Sequence, residues 1–358
     1  MPATLSTSYL ISAAFIFALS LVLSIALTML ARRLAPYLGL MDKPGGRRHH
    51  LTAVARLGAL PLWGAFTITA LVAQRLPIEH GDQYEVIRLA GLLIGGTFLF
   101  IFGLLDDRFD LPAVLQYVIQ IVAAAIGVAF LIFIERLNNP LTGTTTPEWP
   151  YIFTVTISLF WLGLMMNTLN FLDGVDGLAG GVVVIASLLL FIHTIREDQL
   201  SVSLLPLALI GTMLGFLRFN WHPATIFMGS GAVYLGYTIG ALSIIGGAKM
   251  ATILLVMGLP LLDLAWQAAR RIATGKNPMV GDRGHIHFRL IDANVDPRLI
   301  ALGYYLFCAA FGALALLTTS RLFKLVAIVV MIILVLIGFA LVTRLSELSK
   351  KGSDSDGA

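Results

Sequence analysis

Eleven apolar runs, most of them close to twenty residues long, dominate this chain: 9–31, 57–75, 87–105, 112–134, 151–168, 177–195, 201–218, 231–247, 250–269, 299–317 and 322–343. A helix needs roughly 20 apolar residues to cross the hydrocarbon of a bilayer. Inside it, every backbone polar group must be bonded within the protein, which leaves helices as the natural solution. The chain therefore reads as an all-α polytopic membrane protein with eleven transmembrane helices, or ten if the short, glycine-rich 231–247 run does not cross. Composition agrees, with 58% of residues hydrophobic and only 12% charged, against about 25% charged in a soluble domain. A single integral-membrane domain is expected over 1–343, followed by a polar cytoplasmic tail over 344–358. The lone cysteine, Cys308, lies within an apolar run. An intramolecular disulfide and a cysteine-based metal site are both excluded.

Lys and Arg set the orientation of such a chain. With the N-terminus outside, 17 of the 24 Lys and Arg residues fall on inner segments. The same assignment gathers segments 32–56, 106–111, 167–176, 219–230 and 270–298 on the cytoplasmic face, and these hold nearly every polar motif. One cytoplasm-facing site built from five loops is expected.

Carboxylates and amides at membrane depth are costly and mark function by default. Asp106 and Asp107 are adjacent at the end of an apolar run, with Asp110 one turn on. Adjacent carboxylates repel and are commonly held by a divalent cation. An oxygen-only donor set suits Mg²⁺, or Mn²⁺; the plain alternative is a helix cap. Asn167, Asn170, Asp173 and Asp176 recur every three residues, which on a helix is one face; the alternative is a polar seam between helices. His285, His287 and Arg289 stand in the longest polar segment. Their spacing of two favours an extended or loop conformation and contacts to phosphate or hydroxyl groups. Arg47, Arg48, His49, His50 and Arg56 make the first inner loop basic. That follows either from the positive-inside rule or from attraction of an anionic substrate or lipid headgroup.

Acidic groups for a metal, with Arg and His for anions, suggest phosphoryl transfer at a membrane edge, with a lipid acceptor. No Walker A pattern is present, so ATP hydrolysis is not expected, and neither is a nucleic-acid partner. A transporter coupled through intramembrane carboxylates is the rival of a different class. It would carry inverted repeats with broken helices, and the sequence has no such internal symmetry.

These residues resemble the polyprenyl-phosphate N-acetylhexosamine-1-phosphate transferases, in order, from about Gly39 to Leu290. Residues 39–44 with Arg47, His50 and Arg56 look like the family's first cytoplasmic motif, and 103–107 like the second. Residues 167–179 look like the third, 220–229 like the fourth and 282–290 like the fifth. The resemblance implies a reaction in which a UDP-sugar and polyprenyl phosphate, such as undecaprenyl phosphate, give polyprenyl-diphosphate-sugar and UMP, with Mg²⁺. It implies a bacterial inner-membrane location and a first step of cell-envelope glycan synthesis; a homodimer is compatible with it. Asp106 and Asp107 would then serve the metal and the lipid phosphate. Asn170 would lie near the metal, and Asp173 and Asp176 near the metal or nucleotide. Arg47, His50, Arg56, Asn167, His285, His287 and Arg289 would contact substrate.

Three motifs depart from the family pattern. The fourth normally reads Met-Gly-Asp-x-Gly-Ser, whereas Met228 and Gly229 run straight to Ser230, Gly231 and Ala232, without a carboxylate. Phe288 takes the place of the last histidine of the fifth, and Ala53, Ala55 and Ala59 replace two prolines and a glycine of the first. The fifth motif resembles the simple-sugar branch, which favours UDP-GlcNAc or a related UDP-HexNAc. The missing aspartate motivates a second reading: a catalytically impaired or repurposed relative that binds lipid phosphate or UDP-sugar.

Overall fold

The computed structural model describes residues 5–42, 53–136, 142, 144–147, 149–247, 250–275, 284–318 and 320–355, with side chains as far as Thr343. Among them are thirteen helices. In chain order these are α1 (Thr7–Leu38), α2 (Ala59–Ala73), α3 (Glu85–Phe109), α4 (Ala113–Ala129), α5 (Tyr151–Leu172), α6 (Leu178–Arg196) and α7 (Leu200–Asn220). There follow α8 (Gly231–Ile245), α9 (Met250–Val256), α10 (Gly258–Ala273), α11 (Ile286–Asp292), α12 (Pro297–Leu317) and α13 (Arg321–Ser355). A pair of two-residue strands, β1 (Met41–Asp42) and β2 (Val54–Ala55), joins antiparallel between α1 and α2.

Every apolar run carries helix. Among the described residues seven stretches are long and apolar enough to cross a membrane: α1, α3, α5, α6, α7, α12 and the Arg321–Thr343 part of α13. The helices α2, α4 and α8 are apolar but shorter. The 250–269 run, expected as one span, is broken at Met257 into α9 and α10. Pro260 explains the break. In the first turn of α10 its missing N–H has no helical partner to lose, whereas in the middle of a continuous helix it would remove a hydrogen bond. The 344–355 backbone, expected as a polar tail, continues α13 as helix.

Helix α1 packs small and polar side chains inward and large apolar ones outward. On α1, Ser20, Ser24 and Thr28 are buried while Ile11, Phe15 and Val22 are exposed. Small residues let transmembrane backbones approach closely. Gly211 and Gly215 of α7 face this seam, and Ser24 donates its hydroxyl to the carbonyl of Thr212 at 2.6 Å. Helix α8 lies at the centre against α2, α3, α5, α6 and α7. It is apolar on all sides, as a fully enclosed helix must be. At 15 residues it is about 22 Å long, shorter than the roughly 30 Å hydrocarbon core. A cavity opens beside its N-terminal end, lined there by Gly229, Ser230 and Val233.

The α1–α7 seam gives a stability prediction. A Cβ at Gly215 would stand 2.8 Å from the Leu21 carbonyl oxygen and from Ser24 Cβ. Gly215→Val is expected to cost about 1–3 kcal/mol through forced separation of the helices. Gly163→Ala, where nothing lies within 4 Å of the new Cβ, is expected to be neutral or mildly stabilising. Thermal unfolding in detergent checks both; equal melting temperatures for the two variants would contradict the seam.

Candidate active site

The space beside the N-terminus of α8 is a cavity of about 890 Å³, and all five polar segments contribute to its wall. Asp42, Val54 and Arg56 come from the α1–α2 connection, and Asp106, Asp107, Asp110, Gln116 and Gln120 from α3 and α4. Asn170, Asp173, Gly174 and Asp176 come from the end of α5 and its turn, and Asn220, His222, Phe227, Gly229 and Ser230 from the α7–α8 connection. Phe288, Ile291 and Pro297 complete it. Arg47 and His50 lie outside the described residues.

Arg56 is placed by backbone bonds. Its N–H donates to Leu40 O at 2.8 Å, while Phe227 N donates to Ala55 O at 2.8 Å and Gly58 N to Phe227 O at 3.1 Å. The side chain then sets Nε 3.2 Å from Asp107 Oδ1 and one terminal nitrogen 3.2 Å from Asp110. The buried Asp107 carboxylate also accepts from Ser230 N, at 3.1 Å on both oxygens, and from Ser230 Oγ at 2.8 Å. It thus sits at the N-terminus of α8, where the Ser230 N–H and the helix dipole favour an anion. Gly229 has φ +57°, and a Cβ there would meet Asp107 Oδ2 at 2.6 Å. Only glycine allows this approach. The loop that departs from the family pattern is therefore closed by Ser230 on Asp107.

Asp106 makes a different set of bonds. Its Oδ1 accepts from Leu111 N and Gln116 Nε2, both at 3.0 Å, so it caps the turn between α3 and α4 at the cavity edge. The expected single helical face from Asn167 to Asp176 is corrected by the structure: α5 ends at Leu172 and α6 begins at Leu178. Asn167 points back into the bundle and donates to Gln120 Oε1 at 2.7 Å and Gly163 O at 2.8 Å. Asn170 and Asp173 do line the cavity. No donor among the described residues reaches the Asp173 carboxylate. Burial, with the charges of Asp176 and Asp107, holds it well above the usual carboxylate range. Asp173 also follows the C-terminus of α5, where the helix dipole is negative. Asp176 accepts from His222 Nδ1 at 2.7 Å and from Ala224 N at 3.0 Å.

The fifth motif is arranged behind the wall. His285 caps α11 in extended conformation and His287 lies in its first turn. Both are buried, and neither is among the lining residues. His285 Nδ1 lies 3.0 Å from Asp263 Oδ2 and its ring stacks on Phe171. His287 Nδ1 is 3.8 Å from the same oxygen, too long for a hydrogen bond. Burial is the main cause that lowers the His287 imidazole to about 4, partly opposed by Asp263; it is neutral at pH 7. Arg289 donates to Gly284 O and to Thr343 Oγ1. Phe288, not the histidines, reaches the cavity.

The donor set tests the metal reading. Among the described residues no three carboxylate, thiol or imidazole side chains close on one point. Mg²⁺ ordinarily takes one or two protein carboxylates and completes its shell with water and substrate phosphates. The oxygens of Asp173 and Asn170, in the same cavity wall as Asp107, fit that demand. Gln116, Gln120, His222 and Asp263 carried no role in the sequence reading. The two glutamines sit four apart in an apolar run, and Asp263 is a carboxylate inside another. Both are signals of an inward polar face.

Residues 89–247 match the family model described as glycosyl transferase family 4. The chain is 31% identical over 352 residues to the decaprenyl-phosphate N-acetylglucosaminephosphotransferase of Mycolicibacterium smegmatis, covering 90% of this chain and 85% of that one. It is 28% identical over 327 residues to a Bacillus subtilis protein named "Probable undecaprenyl-phosphate N-acetylglucosaminyl 1-phosphate transferase", covering 89% and 88%. It is also 28% identical over 303 residues to the undecaprenyl-phosphate alpha-N-acetylglucosaminyl 1-phosphate transferase of Escherichia coli, covering 80% and 79%.

Asp173 gives the pH prediction. A carboxyl whose pKa is raised on folding favours the folded state at low pH and opposes it once ionised. In metal-free buffer at pH 7.5, Asp173→Asn is therefore expected to melt at a higher temperature than the wild type. The gap should close as the pH falls toward the ordinary carboxylate value of about 4. Added Mg²⁺ should raise the wild-type melting temperature and leave the variant unchanged. Superimposable melting curves at every pH would contradict the unpartnered carboxylate.

Proposed function

Because the chain belongs to the polyprenyl-phosphate N-acetylhexosamine-1-phosphate transferases, we propose that it transfers GlcNAc-1-phosphate from UDP-GlcNAc to a polyprenyl phosphate and releases UMP. Undecaprenyl phosphate in a bacterial inner membrane is the acceptor this reading takes, and a related UDP-HexNAc is the alternative donor. One observation supports it most: the oxygens of Asp173 and Asn170, unpartnered among the described residues, share a cavity with the anchored Asp107–Arg56 pair. A wall so acidic calls for a cation and its phosphate ligands.

In this reaction an oxygen of the lipid phosphate forms a bond to the sugar-bearing phosphorus. The bond from that phosphorus to the bridging oxygen breaks, and UMP departs with the bridging oxygen. Such chemistry is mostly positioning and charge neutralisation. When bound, Mg²⁺ supplies neutralisation of phosphate charge. Asp173, Asn170 and Asp107 would hold it, with Asp106 at the edge. Arg56, fixed by backbone bonds on both sides, presents a guanidinium to the phosphates without having to reorganise.

The orientation is N-terminus out with the cavity on the cytoplasmic side, the arrangement favoured by 17 of 24 Lys and Arg residues. Eleven crossings follow if α9 and α10 together carry the chain from the far end of α8 back to the cavity. Residues beyond α10 do line it.

The deciding experiment is release of UMP from UDP-GlcNAc by the purified protein, with and without undecaprenyl phosphate and Mg²⁺. Release that requires both lipid and metal is the expected result. Binding of UDP-GlcNAc without release would favour the impaired relative instead. Asp107→Asn should lower turnover by roughly a hundredfold, the scale of losing one preorganised electrostatic group, while the protein stays folded. Unchanged turnover in that variant would remove Asp107 from the reaction.

A further inference from the structure

His222 is the one imidazole among the described residues that line the cavity. The rest of the ionisable wall is six carboxylates and the single guanidinium of Arg56, whose nitrogens already face Asp107 and Asp110. A nucleotide diphosphate entering this wall needs further hydrogen-bond donors to its oxygens.

His222 is held in a manner suited to that task. Its Nδ1 lies 2.7 Å from Asp176 Oδ2, and the same oxygen accepts Ala224 N at 3.0 Å. Its carbonyl accepts from Arg298 Nε at 3.2 Å and from a second Arg298 nitrogen at 3.1 Å. Backbone and ring are thus both fixed. With Nδ1–H committed to Asp176, the ring nitrogen left free is Nε2, which no described residue partners. The side chain is 36% exposed and lines the cavity. A carboxylate behind one imidazole nitrogen fixes the tautomer and aims the other nitrogen. With both nitrogens protonated the ring is a cationic donor and Asp176 its counterion.

We propose that His222 binds a phosphate of the nucleotide sugar through Nε2–H, with Asp176 as its positioning residue. This rests on the nucleotide-sugar reading above and adds to it a residue specific for the diphosphate. Asp176 is then a positioning group whose carboxylate is already committed, not a direct ligand of the substrate.

Calorimetric titration with UDP and with uridine tests the assignment. The wild type should bind UDP more tightly than uridine. His222→Gln should weaken UDP by about tenfold to a hundredfold, the scale of one charged hydrogen bond, and leave uridine unchanged. Retained uridine binding also reports a folded cavity. Asp176→Asn should weaken UDP likewise, and the double variant should be no worse than the poorer single variant. Equal weakening of UDP and uridine, or unaltered UDP binding, would overturn the role of His222. Additive losses in the double variant would overturn the positioning role of Asp176. A wild type that binds neither probe would instead overturn the nucleotide-sugar reading itself.

Discussion

The carboxylate of Asp107 is the joint on which the cavity depends. It links the end of α3, the start of α8 and the strand pair that delivers Arg56. Two costs are offset at this one point: a buried anion and a guanidinium drawn partly out of water, with the Ser230 N–H ahead of α8 as a further donor. Breaking a buried pair by removing one partner costs about 3–5 kcal/mol because the other charge is left uncompensated. Asparagine is a gentler change here. It still accepts from Ser230, and Arg56 keeps Asp110 and partial exposure to water.

The remaining acids are less well compensated. Helices α3 and α5 both turn their C-terminal ends toward the cavity, and both place carboxylates there. A helix C-terminus already carries partial negative charge, so an acid beside it is unfavourable. Asp106 relieves this with the Leu111 N–H and Gln116, and Asp107 with Ser230 and Arg56. Among the described residues Asp173 has no such donor, and its carboxyl is pushed toward the neutral form. The fold thus leaves one carboxyl of the cavity wall without a donor among the described residues. Stability given up at a binding group is the usual sign of a ligand that restores it.

The sequence made the helices and the convergence of five loops legible, because hydropathy and Lys/Arg placement are read directly from residue types. What it left out depends on where helices end. The regular spacing from Asn167 to Asp176 looks like one helical face, yet α5 stops at Leu172, and Asn167 and Asp176 take partners on opposite sides of the turn. The break at Met257 could have been foreseen from Pro260. The inward facing of Gln116 and Gln120 was open to the same rule used for acids. The partnership of Ser230 with Asp107 was not, since it joins residues 123 positions apart and needs the packing of α3 on α8.

Two carboxylate–histidine pairs show how burial divides labour between similar groups. Asp263 and His285 are both buried, and together with the Ile286 N–H they fasten α11 to α10, while the His285 ring stacks on Phe171 of α5. Arg289 extends the clasp to α13 through Thr343. Nothing in that cluster reaches the cavity; its product is the fixed position of Phe288 and Ile291 in the wall. Asp176 and His222 repeat the chemistry at the wall itself, where one ring nitrogen stays free. The same pair of side chains therefore braces the protein where it is enclosed and leaves a ring nitrogen open to the cavity where it is not. The difference is set by which loop carries the histidine: a helix cap packed on α5, or the turn that opens beside α8.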